Sequence, residues 1–325
     1  MKLLKCHLNH SCPFIWVISC ILGFLIACTE IDQIRQCDVL PEDKESFIYF
    51  TDPHLSRTSQ KNIDHAFKLL QMYKKEYGYG FCICGGDWLV NNETYAEACN
   101  ALSAIHKSAD TDFGGNYYPV LGNHDTNYQG RRYEYSAKNT GRLQDADIND
   151  LMFSRFGRAY YQFETDETLW IVLDSGIDWE IEMSDYRWEQ IDWLGSKLKS
   201  ESKEHIVICI HIFANYDSTG SLVIQKFAKN AMDLSLAYNS RSKKELNGIV
   251  YDFTDASGSV ACFLCGHNHV DFVIESYGIP VICTRRFEMD GIYSFDLCTF
   301  DWDAGQMIMK RVGEGRDRVV NIITG

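Results

Sequence analysis

Proline is scarce, five residues in 325, and no segment is of low complexity, so no proline-rich or low-complexity linker is present. No internal repeat is visible, which excludes a solenoid or propeller. The apolar stretch Phe14 to Ala27 stops at fourteen residues, short of the ~20 that a bilayer span needs. Basic charge is also in deficit, with 31 Lys and Arg against 45 Asp and Glu and a net charge of −14. Such a surface repels nucleic-acid backbones, so no nucleic-acid partner is expected. The patterns G-x-x-x-x-G-K-[ST], H-E-x-x-H and G-x-S-x-G are absent as well, leaving P-loop, zincin and serine-hydrolase chemistry without support.

What is present argues for a folded enzyme-sized body. Hydrophobic residues make up 46% of the chain and aromatics 13%, enough for a sizeable core. At the N-terminus Lys2 and Lys5 precede the apolar stretch, the order of a secretory signal. That stretch ends in Leu25-Ile26-Ala27-Cys28, which resembles the lipobox of bacterial lipoproteins. The resemblance implies removal of residues 1–27 and lipidation of Cys28, holding the protein to a bacterial envelope membrane on its periplasmic side or at the cell surface. An uncleaved anchor or a buried helix with a chance cysteine are the other readings. Residues 28–45 are acidic and polar and read as a tether, leaving 46–325 as a single domain.

Thirteen cysteines suggest disulfides until they are placed. Cys82, Cys84, Cys209, Cys262 and Cys283 sit in apolar runs, where cysteine behaves as a small hydrophobe. Cys262-Phe263-Leu264-Cys265 has no second pair to complete a zinc knuckle and reads as core.

Along the chain, short β-forming runs alternate with helical periodicity. Phe47 to Thr51 is a strand, and Ile63, Phe67, Leu70, Tyr73 and Tyr77 mark one face of a helix. Phe81 to Cys84 is the second strand. Tyr95, Ala98, Leu102 and Ile105 mark a second helix, with Asn91 or Asn92 as its cap, and Tyr117 to Leu121 is the third strand. This is a βαβαβ unit with parallel strands. Thr126 to Arg142 is a long aperiodic connection, and a short helix is expected over 148–156. A hairpin over 159–163 and 169–173, a helix from Ser184 to Leu198 and a strand from His205 to Ile210 follow. At least one helix lies near 221–236. Strands are expected over 260–265, 270–274, 279–284, 292–299 and 307–311.

Five apolar strands end in residues with metal-binding side chains. They are Asp52 with His54, Asp87, Asn123, His211, and His267 with His269. Ligands of open α/β sheets bind beyond the carboxyl ends of strands. Carboxylate, carboxamide and imidazole donors without thiolate suit Mn, Fe or Zn, and seven donors exceed what one tetrahedral ion takes. Each residue alone reads equally well as a strand-end cap, a turn residue or a core histidine.

Together and in order, D-x-H, G-D, G-N-H-D, H and G-H-x-H resemble the motifs of the calcineurin-like metallophosphoesterase superfamily, from Asp52 to His269. The resemblance implies an α/β fold, a four-layer α/β/β/α sandwich of two facing mixed β-sheets flanked by helices, with the β-rich last third in the second sheet. It implies two divalent or trivalent transition-metal ions, Mn, Fe or Zn. Asp52, His54, Asp87 and His269 would hold one, and Asp87, Asn123, His211 and His267 the other. A metal-bridging hydroxide would attack a phosphate ester in line, His124 would protonate the leaving oxygen, and Asp125 would orient the His124 ring. The expected partner is a small phosphorylated substrate, a diester, monoester or nucleotide-type compound. Arg131, Arg132, Asn215 and Tyr216 are candidate substrate contacts. A pyrophosphatase acting on nucleotide sugars or lipid pyrophosphates, or a non-catalytic binding module on the same fold, are the alternatives.

Overall fold

A computed structural model describes residues 44–57, 60–90, 93–126, 143, 145–175, 183–200, 203–213, 222–289 and 291–324. All described residues belong to one compact unit, Leu40–Gly325.

Strand β1 (Ser46–Phe50) is buried along its whole length. Helix α1 (Gln60–Tyr77) follows and leads to β2 (Phe81–Cys84). Helix α2 (Tyr95–Phe113) and β3 (Tyr117–Pro119) complete the βαβαβ unit, with β1, β2 and β3 parallel and adjacent. The cap of α2 differs from the expectation. Thr94, not Asn91 or Asn92, opens it, in a capping box with Glu97, where side chain and backbone exchange hydrogen bonds. Helix α3 is Asp145–Met152, shorter than predicted.

The hairpin β4 (Tyr161–Glu164) and β5 (Thr168–Leu173) begins a second sheet. Helix α4 (Asp185–Ser200), β6 (His205–Ile210) and helix α5 (Leu222–Asn239) follow. A small hairpin, β7 (Lys243–Leu246) with β8 (Ile249–Asp252), occupies a region that carried no readable pattern. Strands β9 (Ser259–Cys265), β10 (Phe272–Ser276) and β11 (Ile279–Cys283) complete the second sheet, in the order β10-β11-β9-β6-β5-β4.

The last strands correct the expectation that they belong to this second sheet. The predicted strand 292–299 divides into β13 (Ile292–Tyr293), paired with β12 (Glu288–Met289), and β14 (Phe295–Asp301). Strand β14 pairs antiparallel with β1, and β15 (Gln306–Val312) and β16 (Arg318–Asn321) extend it, giving the first sheet the order β16-β15-β14-β1-β2-β3. Both edges of β1 need a hydrogen-bonding partner, and β14 pairs with the edge that β2 leaves open.

Both sheets are mixed, and they face one another. Phe47 and Phe81 meet Trp170 edge to face at 4.9 and 5.2 Å, and Tyr118 stacks on Phe163 at 3.5 Å. Strand alternation sends the neighbours of Trp170 the other way. Leu169, Ile171 and Leu173 pack with Ile191, Leu194 and Leu198 of α4 and Phe227 and Ala231 of α5. On the first sheet Tyr73 of α1 packs edge-on to Phe295. The result is the four-layer α/β arrangement of two mixed sheets between helices. Cys82, Cys84, Cys209, Cys262, Cys265, Cys283 and Cys298 are free and buried, as core packing requires. Among the described residues no helix is long and apolar enough to cross a membrane.

Candidate metal centre

Strands β1, β2 and β3 of the first sheet and β6 and β9 of the second end on one rim. The amide of Asp52 donates to the Gly86 carbonyl at 2.9 Å, and the amide of His54 to that of Asp87 at 3.0 Å. Across the sheets, the Tyr49 hydroxyl donates to the Cys265 carbonyl at 2.7 Å and the His267 amide to Asp52 Oδ2 at 2.9 Å. These bonds fix the spacing of the loops that carry the polar side chains.

Eight described non-glycine residues have positive φ, and five are Asp52, His54, Asp87, His267 and His269. Left-handed backbone is uncommon for such residues and costs on the order of 1 kcal/mol or more each. Concentration of this strain on one rim marks it as built for something other than stability. Gly122 belongs to the same construction: a Cβ there would lie 2.1 Å from Asp87 Oδ1 and 2.2 Å from its amide nitrogen.

The side chains converge as two groups sharing Asp87. One is Asp52, His54, Asp87 and His269, the other Asp87, His211 and His267, with ligand atoms in each within 4.8 Å of one another. Asn123 joins the second group, its Oδ1 lying 3.0 Å from His267 Nδ1 and 3.2 Å from His211 Nε2. Asp52 and Asp87 are buried, and His269 Nε2 lies 3.2 Å from Asp52 Oδ1.

The hydrogen-bond pattern tests whether a cation fits. His54 Nδ1 faces the Leu89 carbonyl at 2.7 Å, and His211 Nδ1 faces that of Gly85 at 2.6 Å. A carbonyl only accepts, so each Nδ1 carries a proton and each Nε2 is left facing inward. There His54 Nε2 stands 3.2 Å from His269 Nε2, and His211 Nε2 stands 3.1 Å from Asp87 Oδ2. Asp87 Oδ2 is buried and finds no hydrogen-bond donor in suitable geometry. Acceptors facing acceptors in a buried site are unfavourable unless positive charge sits among them. The residues therefore fit two cations, with Asp87 common to both groups.

The electrostatics agree. Burial opposes it, yet the Asp87 and Asp52 carboxylates push His211 up to about 10, so a proton there does part of what a metal would do. Asp87, despite its burial, is held below the usual carboxylate range by His211, His124 and His54. Burial lowers His54, which favours the neutral ring that a metal needs.

His124 lies on the rim of this cluster, its Nε2 3.9 Å from Asp87 Oδ2 and its ring 4.9 Å from that of His54. Its Nδ1 faces the Val90 carbonyl at 3.1 Å. This corrects the role expected of Asp125. The Asp125 carboxylate is fully buried and accepts from the backbone amides of Asp87, Trp88, Leu89 and Gly122. It braces the Asp87 loop against the 122–125 turn, and a backbone carbonyl orients the His124 ring. Burial and the neighbouring Asp87 charge push Asp125 up to about 7.

Arg131, Arg132, Asn215 and Tyr216 lie outside the described residues, as does Cys28. The carbonyls of Gly85, Leu89 and Val90, which set the tautomers, escaped the sequence reading because every residue has one. Thr51, whose hydroxyl donates to Asp52 Oδ2 at 2.7 Å, was visible only as a strand residue. His106 and His205 stand apart, the first packed on Trp88 and the second stacked on Trp302 at 3.8 Å.

A model of the calcineurin-like phosphoesterase family matches residues 46–271, a span that includes every side chain of the rim. Among solved structures the chain is similar to a dimetal phosphatase from Danio rerio, with 13% identity, 86% of this chain and 100% of that chain covered, and a TM-score of 0.58. It is also similar to a purple acid phosphatase from yellow lupin (Lupinus luteus) seeds, with 11% identity, 87% of this chain and 54% of that chain covered, and a TM-score of 0.54. At such identities the likeness is one of fold. No curated protein matches the sequence.

Proposed function

The chain belongs to the calcineurin-like phosphoesterase family, a metal-dependent phosphoesterase, and from that premise we propose that it hydrolyses a small phosphate ester with two transition-metal ions. The observation that carries the proposal is the buried convergence of imidazole nitrogens and carboxylate oxygens in two groups that share Asp87. Asp52, His54, Asp87 and His269 would hold one ion and Asp87, Asn123, His211 and His267 the other. When bound, the pair supplies Lewis acidity toward the phosphoryl oxygens and lowers the pKa of water by several units.

The chain's own residues do the rest. Asp87 keeps the two groups in register, and Asp125 holds its loop through the amides of Asp87, Trp88 and Leu89. His124 Nδ1–H is committed to the Val90 carbonyl, which leaves Nε2 to carry a proton toward the leaving group. As hydroxide oxygen bonds to phosphorus, the opposite ester bond breaks and the alcoholate takes the proton from His124 Nε2, which the proton shed by the attacking water then restores through solvent. The substrate is proposed as a diester, monoester or nucleotide-type compound.

Purified protein should contain about two transition-metal ions per chain and hydrolyse a nitrophenyl phosphate. Metal-free protein that Mn, Fe and Zn all fail to activate would refute the reading. We further propose residues 1–27 as a cleaved signal, 28–45 as a tether and 46–325 as one catalytic domain, exported and anchored through lipidated Cys28. The charged and apolar order before Cys28 supports this. Cys28→Ala should move the protein from the membrane to the soluble fraction; membrane retention would favour an uncleaved anchor.

A further inference from the structure

A second buried polar cluster begins immediately after His269. Asp296, fully buried on β14, accepts from Arg318 Nη2 at 2.6 Å and Arg311 Nη2 at 3.1 Å, and also from the Thr284 hydroxyl. Asp271, two residues beyond His269, accepts from Arg311 and from the Arg285 amide at 3.0 Å. The remaining acids are engaged too: Glu314 with Arg285 at 2.8 Å, and Asp317 with Lys310 at 3.1 Å and the Arg311 amide at 2.9 Å.

Donors outnumber these acceptors. The Arg311 side chain is 2% exposed, yet its Nε and Nη1 have no acceptor and neither does Arg318 Nε, against one unpaired acceptor, Asp296 Oδ1. Buried guanidinium N–H groups left unpaired are costly, so water or an anion completes them. Beside Arg318 lies a cavity of about 430 Å³, lined by Asp271, Arg285, Gly315, Arg316, Asp317 and Arg318, with both carboxylates already engaged as above. Arg316 is exposed and makes no ion pair among the described residues. Gly315, at φ +125°, covers Arg311 with no side chain; a Cβ there would stand 3.1 Å from Arg311 Nε and 2.9 Å from Asp271 Oδ2.

Three arginines therefore open onto one cavity in a chain of net charge −14, and the cavity starts next to a residue of the metal rim. Guanidinium groups grouped in this way match phosphate geometry better than isolated ammonium charges would. We propose that this cavity is a second anion subsite of the same active centre, taking a further phosphate group carried by the phosphorylated substrate. The proposal rests on the phosphoesterase reading. It places bis-phosphorylated compounds above simple monoesters as substrates.

The test is inhibition of nitrophenyl phosphate hydrolysis by alkylphosphonates and by alkylene diphosphonates of increasing spacer length. One spacer should inhibit about tenfold more strongly than the monophosphonate of equal length. Arg316→Ala and Arg285→Ala should each shrink that ratio, and because two constants are compared, any general loss of activity cancels. Calorimetric titration of the best diphosphonate into metal-free protein should give heat that Arg316→Ala removes. Equal inhibition at every spacer, or a ratio that survives both substitutions, would overturn the subsite. Absence of nitrophenyl phosphate turnover with any metal would count against the phosphoesterase reading instead, and the calorimetry alone would then decide the subsite.

Discussion

The two buried polar clusters at this rim are unbalanced in opposite senses. Around Asp87, imidazole nitrogens and carboxylate oxygens crowd together, and only a proton or a cation between them brings balance. Around Arg311, N–H groups outnumber the oxygens that could receive them. A fold built for stability alone would close both accounts internally, since a buried polar atom without a partner costs about 1–3 kcal/mol. The mismatch has a sign in each case, and the sign names the guest: cations for the first cluster, an oxyanion for the second. They flank His269, so a phosphorylated compound lying across both would meet metal at one end and guanidinium at the other.

The largest effect should come from removing the atom that joins the two groups of ligands. Asp87→Ala should lower metal content below one ion per chain by mass spectrometry and reduce turnover ~10³-fold or more. His124→Ala, on the neighbouring loop, should keep both ions and lower turnover ~10²–10⁴-fold on an ester with a poor leaving group. A variant lacking His124 that turns over such an ester normally would remove it from the mechanism.

The second cluster is broken from the acceptor side. Asp296→Ala strands Arg311 and Arg318 without their shared carboxylate and should destabilise the protein by about 3–5 kcal/mol in urea unfolding. A loss under 1 kcal/mol would mean that Asp271 alone can balance both arginines.

The smallest effect concerns a histidine in neither cluster. His106 is buried against Trp88 and Tyr117, and burial pushes it down to about 3. Between that value and the ordinary ~6.5, the unfolded chain holds the proton and the folded chain does not. Stability is therefore lost as pH falls through this window, by ~1.4 kcal/mol per unit at most. His106→Leu should unfold with a flatter acid branch than the parent. Identical slopes would mean that the buried ring does take up the proton.

Much of this molecule can be read from its sequence because its chemistry sits at strand ends. Apolar runs such as Phe81 to Cys84 announce buried strands, and the polar residue that stops each run is the one presented on the rim. The stripe Ile63, Phe67, Leu70 and Tyr73 likewise gives α1, because helical burial repeats at three and four residues. What stayed hidden depends on contacts between distant segments. The pairing of β14 with β1 leaves no mark in either strand, since both are simply apolar. Asp125 stands beside His124 in sequence and was assigned to its ring, but the carboxylate found four amides that only the folded loops bring together. The Arg311 cluster draws on Asp271, Thr284, Asp296 and Arg318, none of them part of a motif. Its meaning is arithmetic of donors and acceptors, which a sequence does not contain.

The placement of β14 also bears on the order in which the protein can be made. Strand β1, between β2 and β14 in the finished sheet, acquires β2 almost at once but must wait for nearly all of the chain before Phe295–Asp301 exists to cover its other edge. The second sheet has all six of its strands earlier. An uncovered β1 edge, apolar and unpaired, is a template for the wrong partner during that interval. A chain that emerges vectorially thus assembles its metal rim late, because Asp52 and His54 hang from a strand whose second neighbour begins only at Phe295.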